Sequence, residues 1–349
     1  MDAIRALLIF GVLLFHFLVR WTPPMWPVDE YHFATRYSSL FEIGAYGVHL
    51  FFLVSGYFIA KTLRGSRDVV DFTFRRVSRI YPAYAAAATI TFVFAALFAP
   101  PELKSSLKDY LLTLTMDPHD LHGRYVDGAF WSLTVEVKFY FWVAAAALLL
   151  RRFFWVGTII LGLAGVAAES RAPGISHAVL LGPYMAFFLF GISAWLLNDR
   201  QRVAAAVTAL GGVICLYAER GSLTLGGQPS TLLLACVAAA AVLIYVTAVS
   251  SINVPVGRVL PFLGVISYEI YLVHQIVGIT LIGALKRTFQ IPDLMAVLAA
   301  MIVSVGLGYA VHARVGKPVA TALRRWYDGR PLTRVRPPKT SGLDANAGV

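Results

Sequence analysis

The sequence predicts an all-α, polytopic transmembrane helix bundle, and three observations carry that prediction. Apolar residues make up 58% of the 349-residue chain and charged residues 14%, with a mean hydropathy of +0.70. Soluble domains carry about a quarter charged residues. Apolar runs approaching the ~20 residues that cross about 30 Å of hydrocarbon recur along the chain. Basic residues gather in alternate loops, which is the ordinary signal for orientation in a membrane. These features exclude a soluble globular domain. They also make the net charge of +11 a mark of topology, and no nucleic-acid partner is expected.

In chain order, ten spans are predicted, at residues 3–19, 41–60, 81–99, 131–150, 153–168, 177–197, 203–217, 231–249, 259–285 and 294–312. The fifth and seventh are short and rich in Gly and Ala, a composition that suits close helix packing. Placing the N-terminus in the cytoplasm puts 19 of the 30 basic residues in inside loops and nine in outside loops, so both termini are expected to be cytoplasmic. The long outside loop, 100–130, is acidic, with Glu102, Asp109, Asp117, Asp120 and Asp127. Residues 1–329 form one expected transmembrane domain, and 330–349 read as a disordered basic cytoplasmic tail, poor in apolar residues. Cys215 and Cys236 both fall inside apolar runs, so no disulfide framework is expected. No small-residue cleavage site follows the first apolar run, and the first helix is expected to remain as an anchor.

Ionisable residues inside such spans cost free energy and point to function. The first span carries Arg5 and His16, roughly 16 Å apart along a helix axis. Ordinary explanations exist: Arg5 reaching the headgroups, His16 bonding a backbone carbonyl. The second span holds His49 and Ser55, the latter read as an interhelical polar contact. The second inside loop ends in FRRVSRIYPAY, where Arg76 and Arg79 share a helical face. Two guanidiniums so placed form a phosphate clamp, or they are plain inside-loop charges. The fourth span opens WSLTVEVKFYFW. Glu136 and Lys138 do not face each other, so each needs another partner, and the short Glu136 is the more probable functional group. The ninth span carries Glu269, Tyr271, His274 and Gln275. Counting residues from the span starts sets His16, Glu136 and His274 at similar depths in the outer half. External His119 and His122 have the spacing of a metal pair but sit among turn formers, and no metal is expected.

Taken in order, these segments resemble the membrane acyltransferase-3 family, the integral-membrane O-acyltransferases of cell-surface glycans and some antibiotics. The matching features are Asp2, Arg5 and Ala6 with His16, GVHLFFLVSGYFI, Arg76 and Arg79 in FRRVSRIYP, WSLTVEVKFYF, and ISYEIYLVH. The stretch from Arg151 to Arg258 matches only in being hydrophobic. Members often have Asp where His49 stands, and an acidic residue plus Gln where Val137 and Lys138 stand.

The resemblance implies a multi-pass protein of the bacterial inner membrane. It implies transfer of an acyl group, commonly acetyl, from cytoplasmic acyl-coenzyme A to a hydroxyl of an envelope carbohydrate or glycolipid. Arg76 and Arg79, with Arg5, would hold the coenzyme's phosphates. His16 would be general base or acyl carrier, Glu136 would orient His16 or the acceptor, and His274 with Tyr271 would stabilise the oxyanion. A glycolipid transporter or flippase is the alternative, although no internal repeat of the kind common in such proteins is seen. A non-catalytic membrane sensor would explain the spans but not the shared depth of the two histidines and the glutamate.

Overall fold

The computed structural model describes residues 1–20, 43–222 and 257–329, with isolated positions between 224 and 246. The expected tail 330–349, most of the expected span 231–249 and Cys236 lie outside the described residues. The described helices are α1 (Asp2–Phe15), α2 (Gly47–Arg64), α3 (Val69–Phe98), α4 (Leu107–Thr113), α5 (Trp131–Leu150), α6 (Phe154–Glu169), α7 (Pro173–Ala178), α8 (Gly182–Asn198), α9 (Arg202–Ala218), α10 (Val259–Val265), α11 (Ser267–Phe289), α12 (Asp293–Val311) and α13 (Lys317–Asp328). One two-residue antiparallel pairing joins Thr224–Leu225 to Gln228–Pro229.

Seven stretches among the described residues are long and apolar enough to cross a membrane, against the ten expected. Two of the expected ten, α5 and α6, fall in the single stretch Gly128–Glu169, broken only by the turn Arg151–Phe153. The 17-residue α9 is shorter than the seven. Large apolar side chains such as Leu97, Leu148, Leu149 and Ile302 stay exposed on the outer faces, as they do where lipid tails are the solvent.

Two boundaries differ from expectation in ways that shape the site. The Arg76–Arg79 segment is no loop. It belongs to a single 30-residue helix, α3, which at 1.5 Å per residue is ~45 Å long, about 15 Å more than the hydrocarbon is thick. Asp68 caps its start by accepting from Asp71 N at 2.7 Å. Asp71 accepts from Arg75 Nε at 2.9 Å and pairs with Arg67 at 3.3 Å. Charged side chains thus extend the helix past the apolar slab, and Pro82 sits inside it without ending it.

The expected ninth span, 259–285, is broken at Ile266 into α10 and α11. Gly264 lies against the Asp2 backbone so closely that a Cβ there would overlap it. Ser267 Oγ donates to Gly264 O at 2.9 Å. The break lets α10 pack along α1 while α11 packs on α3 and α12.

The bundle's other tight seam joins α2 to α8. A side chain on Gly56 would strike the Phe188 backbone, and one on Gly191 would strike Leu53 O. Small residues let the two backbones touch, the usual device where no hydrophobic force drives helices together. The segment 100–130 packs against α3 and α5. Tyr84 OH donates to Thr113 O at 2.7 Å, Arg124 N to Asp109 at 2.9 Å, and Lys138 pairs with Asp117 at 2.7 Å and Asp120 at 3.0 Å. Lys138 therefore has its partners in the loop, and Glu136 is not one of them.

Candidate active site

Arg5, Arg76, Arg79, Glu136 and Tyr271 line one cavity, joined by Ser55, Ser132, Tyr140, Tyr268 and the apolar Val48, Phe51, Phe52 and Phe58. Five helices contribute: α1, α2, α3, α5 and α11. The arginine end is built by α3. Arg76 is 4% exposed and its Nε and Nη2 have no hydrogen-bond partner. Its guanidinium lies over the Tyr140 ring, 4.6 Å from the centroid. Tyr140 in turn donates its hydroxyl proton to Glu136, one helical turn away, and Ser55 donates to the same carboxylate oxygen. Arg79 stands at the rim, and Arg5, paired with Asp2 at 3.5 Å, lies within electrostatic range of Arg79 and Glu136.

A buried donor left unmade costs free energy. An arginine held flat by an aromatic face, with two donors unused, is suited to receive an anion. The interhelical contact expected of Ser55 is present, and its partner is Glu136.

The histidines lie outside that cavity. His16 and His274 meet edge to face, ring centroids 4.8 Å apart. His16 is 7% exposed and His274 is fully buried. His16 opens the π-helical turn His16–Arg20 that ends α1, an irregularity often found at functional sites. Its Nδ1–H donates to Val12 O at 2.9 Å, and a carbonyl can only accept, so in the neutral ring Nε2 carries the lone pair. His274 Nδ1–H likewise donates to Tyr271 O at 2.7 Å, and its Nε2 has no partner. Tyr271 joins the two regions: its ring lines the cavity while His274 follows three residues, about 4.5 Å, farther along α11.

This geometry bears on two sequence-based expectations. Glu136 does not share the histidines' surroundings; it shares the cavity with the arginines, and its bonds run to Ser55 and Tyr140. The protons that the oxyanion roles expected of His274 and Tyr271 would use are engaged within the protein. Tyr271 OH donates to Ala129 O at 2.7 Å and lies 2.8 Å from Ser132 Oγ, and the His274 proton is taken by Tyr271 O.

Several residues of the site were not legible as such. Tyr140 sits four residues after Glu136, the one signal available. His312 Nδ1 bonds Glu269 at 2.9 Å, beside a π-helical turn at the end of α12. Asp127 is fully buried; it accepts from Ala129 N at 2.9 Å and from Ile276 N, inside α11, at 3.1 Å. Burial pushes its carboxyl up to about 6. His49 packs among Tyr46, Phe52, Tyr184 and Phe187, its Nδ1 without a partner. Among the described residues no cluster of three His, Cys, Asp or Glu is arranged to hold a metal.

The comparisons with known proteins bear on this arrangement. A curated relative, an O-acetyl transferase of Shigella phage Sf6, is 27% identical over 195 residues, covering 50% of this chain and 58% of the relative. The match thus spans less than two thirds of that relative's length. No solved structure matches the chain significantly. The acyltransferase domain model of the acyltransferase-3 family matches residues 1–313, which include every helix of the cavity and both histidines. With its apolar helices, the chain is a multi-pass membrane protein and belongs to the acyltransferase-3 family.

Proposed function

We propose that the protein transfers an acyl group, acetyl in the first instance, from cytoplasmic acyl-coenzyme A to a hydroxyl of an envelope carbohydrate. The observation that carries this reading is one cavity that joins three arginines to Tyr271, whose backbone carbonyl accepts from His274, the ring packed against His16. Arg76, Arg79 and Arg5 bind the donor's phosphates at the cytoplasmic end, and the acyl thioester lies farther along the bundle. His16 Nε2 accepts the proton of the acceptor hydroxyl as its oxygen attacks the thioester carbonyl. The new C–O bond forms, the C–S bond breaks, and the thiolate departs with a proton returned from His16. Glu136 acts at one remove: it fixes Tyr140, which holds Arg76 flat.

The orientation that this reading requires, with α3's arginines in the cytoplasm and the loop 100–130 outside, rests on the basic-residue asymmetry. A phosphatase fused at Pro118 is expected to be active and one fused at Arg67 inactive. Mass spectrometry of envelope glycans from a strain lacking the gene, and from one carrying it, tests the reaction: O-acyl groups are expected only with the gene. Glycans acylated equally in both strains, with export impaired in the deletion, would instead favour a transporter.

A further inference from the structure

α13 lies beyond residues 1–313 that the family model covers, and its sequence, KPVATALRRWYD, is strongly two-faced. Val319, Leu323 and Trp326 recur at helical spacing on one side; Lys317, Thr321, Arg324, Arg325 and Asp328 take the other. A helix of this kind lies along an interface rather than across it.

Three contacts clamp α13 to the basic end of α3. Phe74 stacks on Tyr327 with centroids 4.1 Å apart and planes 14° from parallel. Arg67 pairs with Asp328 at 3.1 Å and covers the Tyr327 ring at 5.3 Å.

The clamp brings Arg324 within electrostatic range of Arg79 and Arg75. Arg75 is neutralised by Asp71 at 2.9 Å. Arg79 and Arg324 are not: among the described residues neither has a carboxylate within ion-pair distance. Arg79 stands at the rim of the cavity that Arg76 and Arg5 line farther in. Cationic side chains therefore lead from the surface helix to the buried donors of Arg76. Asp328 is the one acid acting on Arg324, and it is already paired with Arg67; like charges so incompletely balanced raise the free energy of the empty protein and concentrate multivalent anions at that spot.

We propose that Arg324, presented by α13, forms with Arg79 an outer subsite for phosphate groups, occupied by the nucleotide-phosphate end of the acyl donor. The inference rests on the donor reading above and extends it to a helix outside the family's matched region. Anionic lipid headgroups offer the same chemistry, and the test separates the two sources.

Full-length protein in nanodiscs of phosphatidylcholine alone is titrated with coenzyme A and with dephospho-coenzyme A, which lacks the 3′-phosphate, by microscale thermophoresis. Arg324→Ala is expected to weaken coenzyme A binding by about 10- to 100-fold, the range of a lost hydrogen bond to a charged group, and to weaken dephospho-coenzyme A binding less. Arg324→Lys is expected to fall between, because it keeps the charge and loses the fork. Arg325→Ala, one position along α13, should leave the affinity unchanged. Tyr327→Ala, which removes two of the three clamp contacts, should reproduce part of the loss seen with Arg324→Ala.

Unchanged coenzyme A affinity in a folded Arg324→Ala protein, with wild type binding normally, overturns the subsite and leaves the donor reading intact. If that variant loses only its binding to phosphatidylglycerol vesicles, the charge belongs to the lipid surface and the subsite is again overturned. Equal losses in the Arg324 and Arg325 variants indicate a diffuse field, not a site. Failure of the wild type itself to bind coenzyme A overturns the donor reading first.

Discussion

In the part of the bundle made by α6, α8 and α9, the buried hydroxyls of Thr158, Ser193 and Thr208 donate to backbone carbonyls at 2.8, 2.8 and 2.7 Å. In the part made by α1, α2, α3, α5 and α11, equally buried groups behave otherwise. Arg76 leaves two nitrogens unmatched and His274 leaves one, while Glu136 is tied to a serine and a tyrosine rather than to a cation. The first part spends these hydroxyls on packing, although Glu169 Oε2 in α6 has no partner. The second keeps donors, acceptors and lone pairs unspent, at a cost of about 1–3 kcal/mol for each buried orphan, a cost that a bound ligand would offset. The difference lies in where the hydrogen bonds go.

The sharpest way to break this contrast is to remove the lone pair beside His274. His16→Ala is expected to lower acyl transfer by about 10²–10⁴-fold, the usual worth of a general base, with coenzyme A affinity and the thermal midpoint held. Transfer that persists at wild-type rate would make the histidine pair structural. A mass increment on the peptide carrying His16, after incubation with acetyl-coenzyme A alone, would identify an acyl-histidine route.

Arg76→Lys comes next. The charge remains, but the planar fork and the stack on Tyr140 are lost, and a loss on the order of tenfold in kcat/KM for the donor is expected in steady-state kinetics. Full activity would reduce Arg76 to a topology charge.

Glu136→Gln and Tyr140→Phe test whether Glu136 works through Arg76. Each is expected to raise KM for the donor several-fold, by about 1 kcal/mol of lost hydrogen bonding, with kcat little changed. A collapse of kcat at unchanged KM would instead tie Glu136 to the reacting hydroxyl.

Asp127 links the segment 100–130 to α11 and gives a pH signature. Burial raises its carboxyl to about 6, above the ordinary aspartate value of about 3.9, so the native state binds the proton more tightly than the unfolded chain. Its contribution to stability is present in full below about 4 and falls as pH rises toward 6. Thermal unfolding in detergent between pH 4 and 7 should show that slope, and Asp127→Asn should flatten it.

The smallest effect belongs to the packing half. Ser193→Ala removes the bond to Ala205 O and is expected to cost about 1 kcal/mol of stability with transfer unchanged.

Much of this was written in the sequence. Apolar runs near span length fixed an all-helical membrane bundle, because hydrocarbon leaves every backbone group to be satisfied within its own helix. Arg5, His16, Arg76, Arg79, Glu136, Tyr271 and His274 stood out because charge and imidazole are costly there. What a one-dimensional reading could not supply was the relation between segments. Depth counted along α11 assumed an unbroken helix, but the contact of Gly264 with the Asp2 backbone breaks it at Ile266. Charge alone made FRRVSRIYP a loop, whereas Asp68 and Asp71 cap and pair it into α3. The partner of Glu136 is a tyrosine ring that carries Arg76. The amphipathic face of α13 was legible in its spacing; that Tyr327 docks on Phe74 and leaves Arg324 within electrostatic range of Arg79 was not. Composition and periodicity are properties of one segment at a time, whereas a site is made where several segments meet, and only packing decides that.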